Sequence, residues 1–163
     1  EALQLLEDTA NSRRSALKAQ IEGIVTEALQ LVYGGTYRVE LVYDVKGGRS
    51  HVDIELVRDT PAGDVRRTMS GFGGGVSDTI SVPLRLLVLL ASRHTDRVCL
   101  LDEAYKHVDL ERVPAVAAFL SDIAKRLGIQ LIASSHHEAM RDAADAVWEV
   151  SETAGRSSVT RAK

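Results

Sequence analysis

The sequence predicts an α/β fold: parallel strands with flanking helices, an antiparallel hairpin set beside them, and a long helix in front. Three observations predict it. Val98-Cys99-Leu100-Leu101 and residues 129–133 are short, continuous apolar runs, the pattern of strands buried on both faces of a parallel sheet. Residues 110–127 lie between them with helical periodicity and stop at Gly128, which supplies the crossover that two parallel strands require. Earlier in the chain, two β-branched stretches alternate around Lys46-Gly47-Gly48, and a glycine turn between alternating stretches marks a hairpin.

Residues 1–32 read as one helix and as a unit of their own, with 33–163 forming the globular remainder. Leu3, Ala10, Leu17, Ile24 and Leu31 recur every seven residues, with Leu6, Ile21 and Ala28 beside them. Arg13, Gln20 and Glu27 fall where a second apolar seam position would be. Two readings stay open: an amphipathic helix lying on a sheet, or the base of a coiled-coil arm entering a globular head. Gly34-Gly35 ends the helix. Residues 37–45 and 51–58 form the hairpin, and 59–64 read as a loop. Ser70-Gly71-Phe72-Gly73-Gly74-Gly75 then leads into a helix from about Val76 to Arg93. Beyond the 129–133 strand, residues 137–144 read as a short helix. Residues 147–150 and 158–161 read as closing strands about the polar turn 152–156.

A length of 163 residues suits one domain, or one lobe of a larger one. Hydrophobic residues at 45% and charged residues at 26% are ordinary for a packed domain and argue against a disordered tail. Aromatics are only 4%, so the core is expected to be aliphatic. A formal net charge of −3 argues against wholesale nucleic-acid binding through a basic surface, while leaving room for a local basic patch. The single cysteine, Cys99, excludes an intrachain disulfide framework and a cysteine-only zinc site. The apolar stretch at 80–91 is interrupted by Ser81, Pro83 and Arg85 and reads as too short for a membrane span. The charged, helix-patterned start is unlike a signal peptide. An intracellular setting is expected, and a start at Glu1 reads as a processed or excised piece.

Three motifs point to chemistry. Asp102-Glu103 closes the first apolar strand, and open α/β sheets bind ligands at the carboxyl ends of their strands. Two adjacent carboxylates there can divide tasks, one holding a magnesium ion through water and one activating an attacking water. The bland alternative is a polar strand end. The second motif, Gly71-Phe72-Gly73-Gly74-Gly75, precedes a helix, where backbone N–H groups and the helix dipole favour an anion. It is no dinucleotide fingerprint, because residue 76 is valine, and no P-loop, because no glycine precedes a lysine. A flexible loop is the alternative. The third is Ser134-Ser135-His136-His137-Glu138 after the second apolar strand, where a histidine can meet a phosphate or water. A zinc-protease reading fails because residue 141 is arginine. A serine-hydrolase elbow fails because Gly75-Val76-Ser77-Asp78-Thr79 lacks its second glycine.

The order and spacing of these motifs say more than any one of them. A glycine loop and helix are followed by Asp102-Glu103-Ala104, by Asp109 six residues past Glu103, and by His136 thirty-three residues past Glu103. Across essentially the whole chain this resembles the C-terminal lobe of an ABC-type ATPase head, a P-loop NTPase fold without its Walker A lobe. The long leading helix and the hairpin make it similar to the SMC, SbcC and RecN-like branch of chromosome and DNA-repair ATPases.

The resemblance implies ATP and Mg2+ as ligands. It implies Asp102 as the Walker B aspartate holding magnesium through water, Glu103 as the general base, and His136 as the switch histidine near the γ-phosphate. Asp109 would be the D-loop aspartate at a dimer interface. Gly73, Gly74 and Gly75 would stand in the signature motif and bind the opposite nucleotide, with Gly73 at the family's serine and Val76 at a polar position. Ser70 and Ser77 are candidates to replace the missing hydroxyl. Lys106 and His107 lie where the family has small residues.

The implied partners are an N-terminal Walker A lobe, a second head in a homodimer, DNA, and a nuclease subunit on residues 1–25, with no membrane; the implied location is the cytoplasm, on the nucleoid in a cell. Arg13-Arg14 and Arg66-Arg67 are candidate phosphate contacts or a solvated surface. Without Walker A the chain is expected to be inactive by itself and to leave strands wanting neighbours. The rival is a non-hydrolysing structural module on the same fold. A transporter's nucleotide-binding lobe is disfavoured by the long helix and the hairpin.

Overall fold

The structure, a computed structural model, describes residues 2–92 and 96–163. Glu1, Arg93 (the expected end of the second helix) and the side chains of Leu3 and Leu6 lie outside the described residues. Helix α1 spans Ala2–Tyr33. Residues 8–17 are exposed on every side, and burial begins at Ile21. From there Ile24, Ala28 and Val32, one turn apart, enter one apolar cluster, while Val25 and Leu29 enter a second. Gly34, at φ 91°, ends the helix by donating its N–H to the Gln30 carbonyl at 2.9 Å.

Strands β1 (Tyr37–Lys46), β2 (Arg49–Thr60) and β3 (Gly63–Thr68) form an antiparallel sheet in chain order. Gly47 and Gly48, at φ 59° and 75°, make the two-residue turn that only residues tolerant of positive φ allow. Helix α1 lies along β1: the amides of Leu41 and Val39 donate to the Glu22 carboxylate at 2.6 Å and to the Thr26 hydroxyl at 3.0 Å.

The expected loop at 59–64 is corrected. Strand β2 continues to Thr60 and turns at Pro61-Ala62, and β3 pairs back from Thr60↔Gly63 to Glu55↔Thr68. Strand β3 is exposed throughout. As a charged edge strand it lacks the apolar alternation that marks a half-buried one. Ion pairs bind it to the sheet: Asp64 with Arg38 (2.5 Å), which also pairs with Asp59 of β2, and Arg66 with Glu40 (2.6 Å) and Glu55 (3.1 Å).

Helix α2 runs Gly74–Ala91, starting two residues before the expected Val76. At 18 residues and a mean hydropathy of 1.4 it is long and apolar enough to cross a membrane, which corrects the expectation drawn from 80–91 alone. Here it is a core helix: Ile80, Val82, Pro83, Leu86 and Leu87 are buried.

Strands β4 (Val98–Asp102) and β5 (Gln130–Ser134) are parallel, in register from Val98↔Gln130 to Asp102↔Ser134. A 3-10 turn, Leu110–Arg112, leads into the crossover helix α3, Val113–Leu127. Val113, Val116, Phe119, Leu120 and Ile123 of α3 are buried at helical spacing, and Gly128 caps it at φ 62°. Burial on both faces of β4 and β5 is not found. Leu101 faces the core at 3% exposure, whereas Leu100 is 72% and Ile132 51% exposed. The second face of this two-stranded sheet, with Val98, Leu100 and Ile132, is left open among the described residues.

Helix α4 (Glu138–Ala143) follows, then β6 (Trp148–Thr153) and β7 (Arg156–Arg161). The last two are the expected closing strands. They form a separate antiparallel ribbon about Ala154-Gly155, both at positive φ.

Candidate functional site

The parallel register sets the site. Asp102 and Ser134 end β4 and β5 side by side. The Ser134 hydroxyl donates to Asp102 Oδ1 at 2.7 Å and accepts the Glu103 N–H at 3.0 Å. Glu103 turns out of the strand at φ 43°, and Tyr105 follows at φ 69°. Non-glycine residues there cost about 1–3 kcal/mol each and persist where the surroundings hold them. The Ser134 bond holds Glu103, and near-complete burial holds Tyr105. From β5, His136 Nε2 comes to 3.1 Å of Glu103 Oε1 across a sequence separation of 33, with its ring open to solvent. Asp102, Glu103 and His136 therefore meet at one strand edge, with Asp102 engaged by Ser134 and Glu103 by His136.

Asp102 fits the magnesium role through water. Among the described residues no three His, Cys, Asp or Glu gather to cage a metal ion. Magnesium keeps several waters and uses one or two carboxylates together with phosphate oxygens, so a single carboxylate at an exposed edge suits it.

The glycine loop forms the N-terminus of α2. Gly73 is the N-cap and brings no side-chain cap, so the first N–H groups of α2 stay open to an anion. Gly74 and Gly75 have a further reason to be glycine. A Cβ at Gly74 would lie 3.1 Å from the His107 ring, and one at Gly75 would lie 2.7 Å from the Tyr33 hydroxyl and 2.8 Å from the His107 carbonyl. A Cβ at Gly73 would meet nothing within 4 Å. Below the loop, Asp78 Oδ2 pairs with His107 Nδ1 at 3.0 Å. The two serine candidates separate: Ser70 bonds the Thr68 hydroxyl at 3.0 Å, and Ser77 lies inside the first turn of α2.

Helix α2 and the β4 edge share a cavity of about 130 Å³, lined by Asp78, Ser81 and Arg85 on one side and by Asp102, Glu103 and Lys106 on the other. Tyr105 also lines it, and its hydroxyl finds no hydrogen-bond partner among the described residues. Burial, reinforced by Asp78 and opposed by Arg85, pushes this phenol far above its ordinary value. Asp109 lies apart from the strand edge, exposed and paired with Arg112 at 3.2 Å. Arg66 is already engaged by Glu40 and Glu55.

The sequence reading gave no role to Ser134, Asp78, Tyr33 or Arg112, although Ser134 opens its third motif. Ser134 had a legible signal. Two five-residue parallel strands, counted from their starts, pair Asp102 with Ser134. The others act through tertiary contacts that no local pattern announces.

No family model matches the chain. One curated relative, the DNA double-strand break repair Rad50 ATPase of Methanopyrus kandleri, is 33% identical over 90 residues, which is 54% of this chain and 10% of the relative. The chain thus spans about a tenth of that protein's length. Among solved structures, the Smc head domain with a coiled coil and joint from Pyrococcus yayanosii superposes with a TM-score of 0.73 at 20% identity, over 97% of this chain and 29% of that one. An SMC ATPase solved in work on ATP-driven dimerisation and DNA-stimulated activation superposes with a TM-score of 0.68 at 20% identity, over 96% and 89% of the two chains.

Proposed function

From a chain with the fold of the C-terminal lobe of an SMC-type ATPase head, we propose the C-terminal portion of an SMC/Rad50-like ATPase that hydrolyses ATP between two paired heads. Glu103 is the general base: its carboxylate accepts a proton from the attacking water, and His136, 3.1 Å away, orients it and faces the γ-phosphate. Asp102, steadied by Ser134, holds hydrated magnesium. When bound, that ion neutralises charge building on the phosphates. The open N-terminus of α2 at Gly73, Gly74 and Gly75 receives the γ-phosphate of the nucleotide carried by the other head, with Asp109 at the same interface. The observation that carries this reading is the convergence of Glu103 and His136 at the end of a parallel strand pair.

An N-terminal Walker A lobe completes the head. The apolar face of Leu100 and Ile132 supports this, since it is what a missing neighbour would cover. Without that lobe the chain is inactive by itself. The exposed outer half of α1 is the base of a coiled-coil arm that moves on hydrolysis during DNA repair or recombination, and it is the surface for a nuclease subunit. Of the basic pairs read for DNA, Arg13-Arg14 and Arg67 remain the candidates, since Arg66 is held in ion pairs. The protein works in the cytoplasm.

The test uses the complete polypeptide carrying this segment. ATP with magnesium is expected to convert single heads to dimers by light scattering, with turnover in wild type and stable, non-hydrolysing dimers in Glu103→Gln. Nucleotide-independent behaviour of both proteins would overturn the reading. It would favour the second one, a non-hydrolysing structural module, which draws support from the absent signature hydroxyl at Gly73 and from the packing role of Gly74 and Gly75 against His107.

A further inference from the structure

We infer that Arg112 is a positioning residue that ties the end of α1 both to Asp109 and, through Tyr33, to the glycine loop. Its guanidinium makes three attachments. Nη1 donates to the Val32 carbonyl at 2.5 Å, a last-turn carbonyl with no partner within its own helix. The guanidinium lies 4.8 Å from the centre of the Tyr33 ring, within cation–π range. Nε donates to Asp109 Oδ2 at 3.2 Å. A planar fork that can also stack is needed to do all of this at once, and the lysine ammonium is a point donor without it.

Tyr33 carries the connection onward. A Cβ at Gly75 would stand 2.7 Å from the Tyr33 hydroxyl, so the ring end rests directly on the first turn of α2. In the same turn the Thr79 hydroxyl donates to the Gly75 carbonyl at 2.9 Å. A shift in the last turn of α1 therefore displaces Gly75 through Tyr33 and Asp109 through Arg112. These are the two elements that the ATPase reading places against the partner head's nucleotide, and the functional side of the inference rests on that reading. The Arg112–Asp109 pair is exposed on the Asp109 side, and such pairs add little to global stability. Its consequence is where these groups sit, more than whether the protein folds.

The complete polypeptide is compared with Arg112→Ala, Arg112→Lys and Tyr33→Phe by two readouts. Amide hydrogen exchange without nucleotide is expected to quicken at least about fivefold in both 30–36 and 74–79 for the Ala and Lys variants. Tyr33→Phe is expected to quicken 74–79 alone. ATP-driven head pairing is expected to need about tenfold more protein in both Arg112 variants, with unchanged ATP affinity of single heads. Exchange changes confined to 109–113, or full rescue by Lys in both readouts, would overturn the inference. Wild-type heads that fail to pair on ATP would instead sink the ATPase reading, while the exchange pattern would still decide whether Arg112 joins the two segments.

Discussion

Ser134→Ala removes one hydroxyl and two hydrogen bonds: 2.7 Å to Asp102 Oδ1 and 3.0 Å from the Glu103 N–H. A hydrogen bond to a charged partner contributes about 1.5–3 kcal/mol and a neutral one about 1 kcal/mol. Ser134, Asp102 and Glu103 are all exposed, so water replaces much of both, and a net loss of about 1 kcal/mol is expected. In a chain of this size that is a fall of about 2–4 °C in melting temperature. The larger effect is positional. Glu103 sits at φ 43°, a conformation with a standing cost of about 1–3 kcal/mol, and Ser134 holds the only N–H that anchors it to β5 among the described residues. Freed, Glu103 relaxes away from His136 and from the water it would activate. Displacing a catalytic group by about 1 Å lowers rates about 100-fold, so on the proposed ATPase reading kcat of the complete polypeptide is expected to fall about 10- to 100-fold with KM within about twofold, the pattern of a lost transition-state interaction. Ser134→Thr keeps the hydroxyl and suits a strand, and it is expected to retain turnover. The assay is steady-state ATP hydrolysis alongside thermal melting. An alanine variant with kcat within twofold of wild type, or one whose loss lies wholly in KM, would refute the argument.

Three other changes test the surroundings. Tyr105→Phe deletes a buried hydroxyl that has no partner among the described residues; removal is expected to stabilise by about 1 kcal/mol, read as a higher melting temperature, and a lower one would show that the hydroxyl is satisfied. Gly75→Ala forces a methyl to within 2.8 Å of the His107 carbonyl and is expected to cost about 1–3 kcal/mol in urea unfolding. Arg66 foremost, then Arg38, holds the Glu40 carboxyl below its ordinary 4.5. The unfolded chain thus binds this proton more readily, so the stabilisation is whole above that value and drains away as pH falls through the lower folded one. Glu40→Gln is expected to flatten the acid side of a melting-temperature-versus-pH curve, and an unchanged slope would show that the network adds nothing.

What was legible in the sequence follows from where each signal resides. The hairpin turn and the end of α3 were readable because Gly47, Gly48 and Gly128 occupy positive φ, a local demand met by residue type. Strand β3 was not, because an edge strand avoids the apolar alternation by which strands are recognised. The continuous apolar run of β4 was read as burial on two faces, yet Leu101, with Cys99 partly buried beside it, faces the core while Leu100 faces outward. Asp102, Glu103 and His136 were legible because charged and imidazole groups at the ends of apolar strands stand out. Ser134 and Arg112 are residue types found everywhere, and only register or tertiary packing gives them a role.

The glycine loop shows how the two kinds of signal divide. Three consecutive glycines suggested a phosphate cradle, and the N-cap geometry of α2 is compatible with one. Yet packing already excludes a side chain at Gly75, through Tyr33 and the His107 carbonyl, crowds one at Gly74 against the His107 ring, and leaves the space around Gly73 empty. A loss of ATP-driven pairing on substituting Gly74 or Gly75 would therefore mix displacement of the His107 loop with loss of an anion site. Gly73 separates them. Gly73→Ser adds a hydroxyl at an N-cap, worth only a few tenths of a kcal/mol to the helix, without touching either neighbour. Faster turnover or tighter pairing in that variant would place a phosphate at the loop. Unchanged kinetics with slightly raised stability would leave the three glycines explained by packing and capping alone.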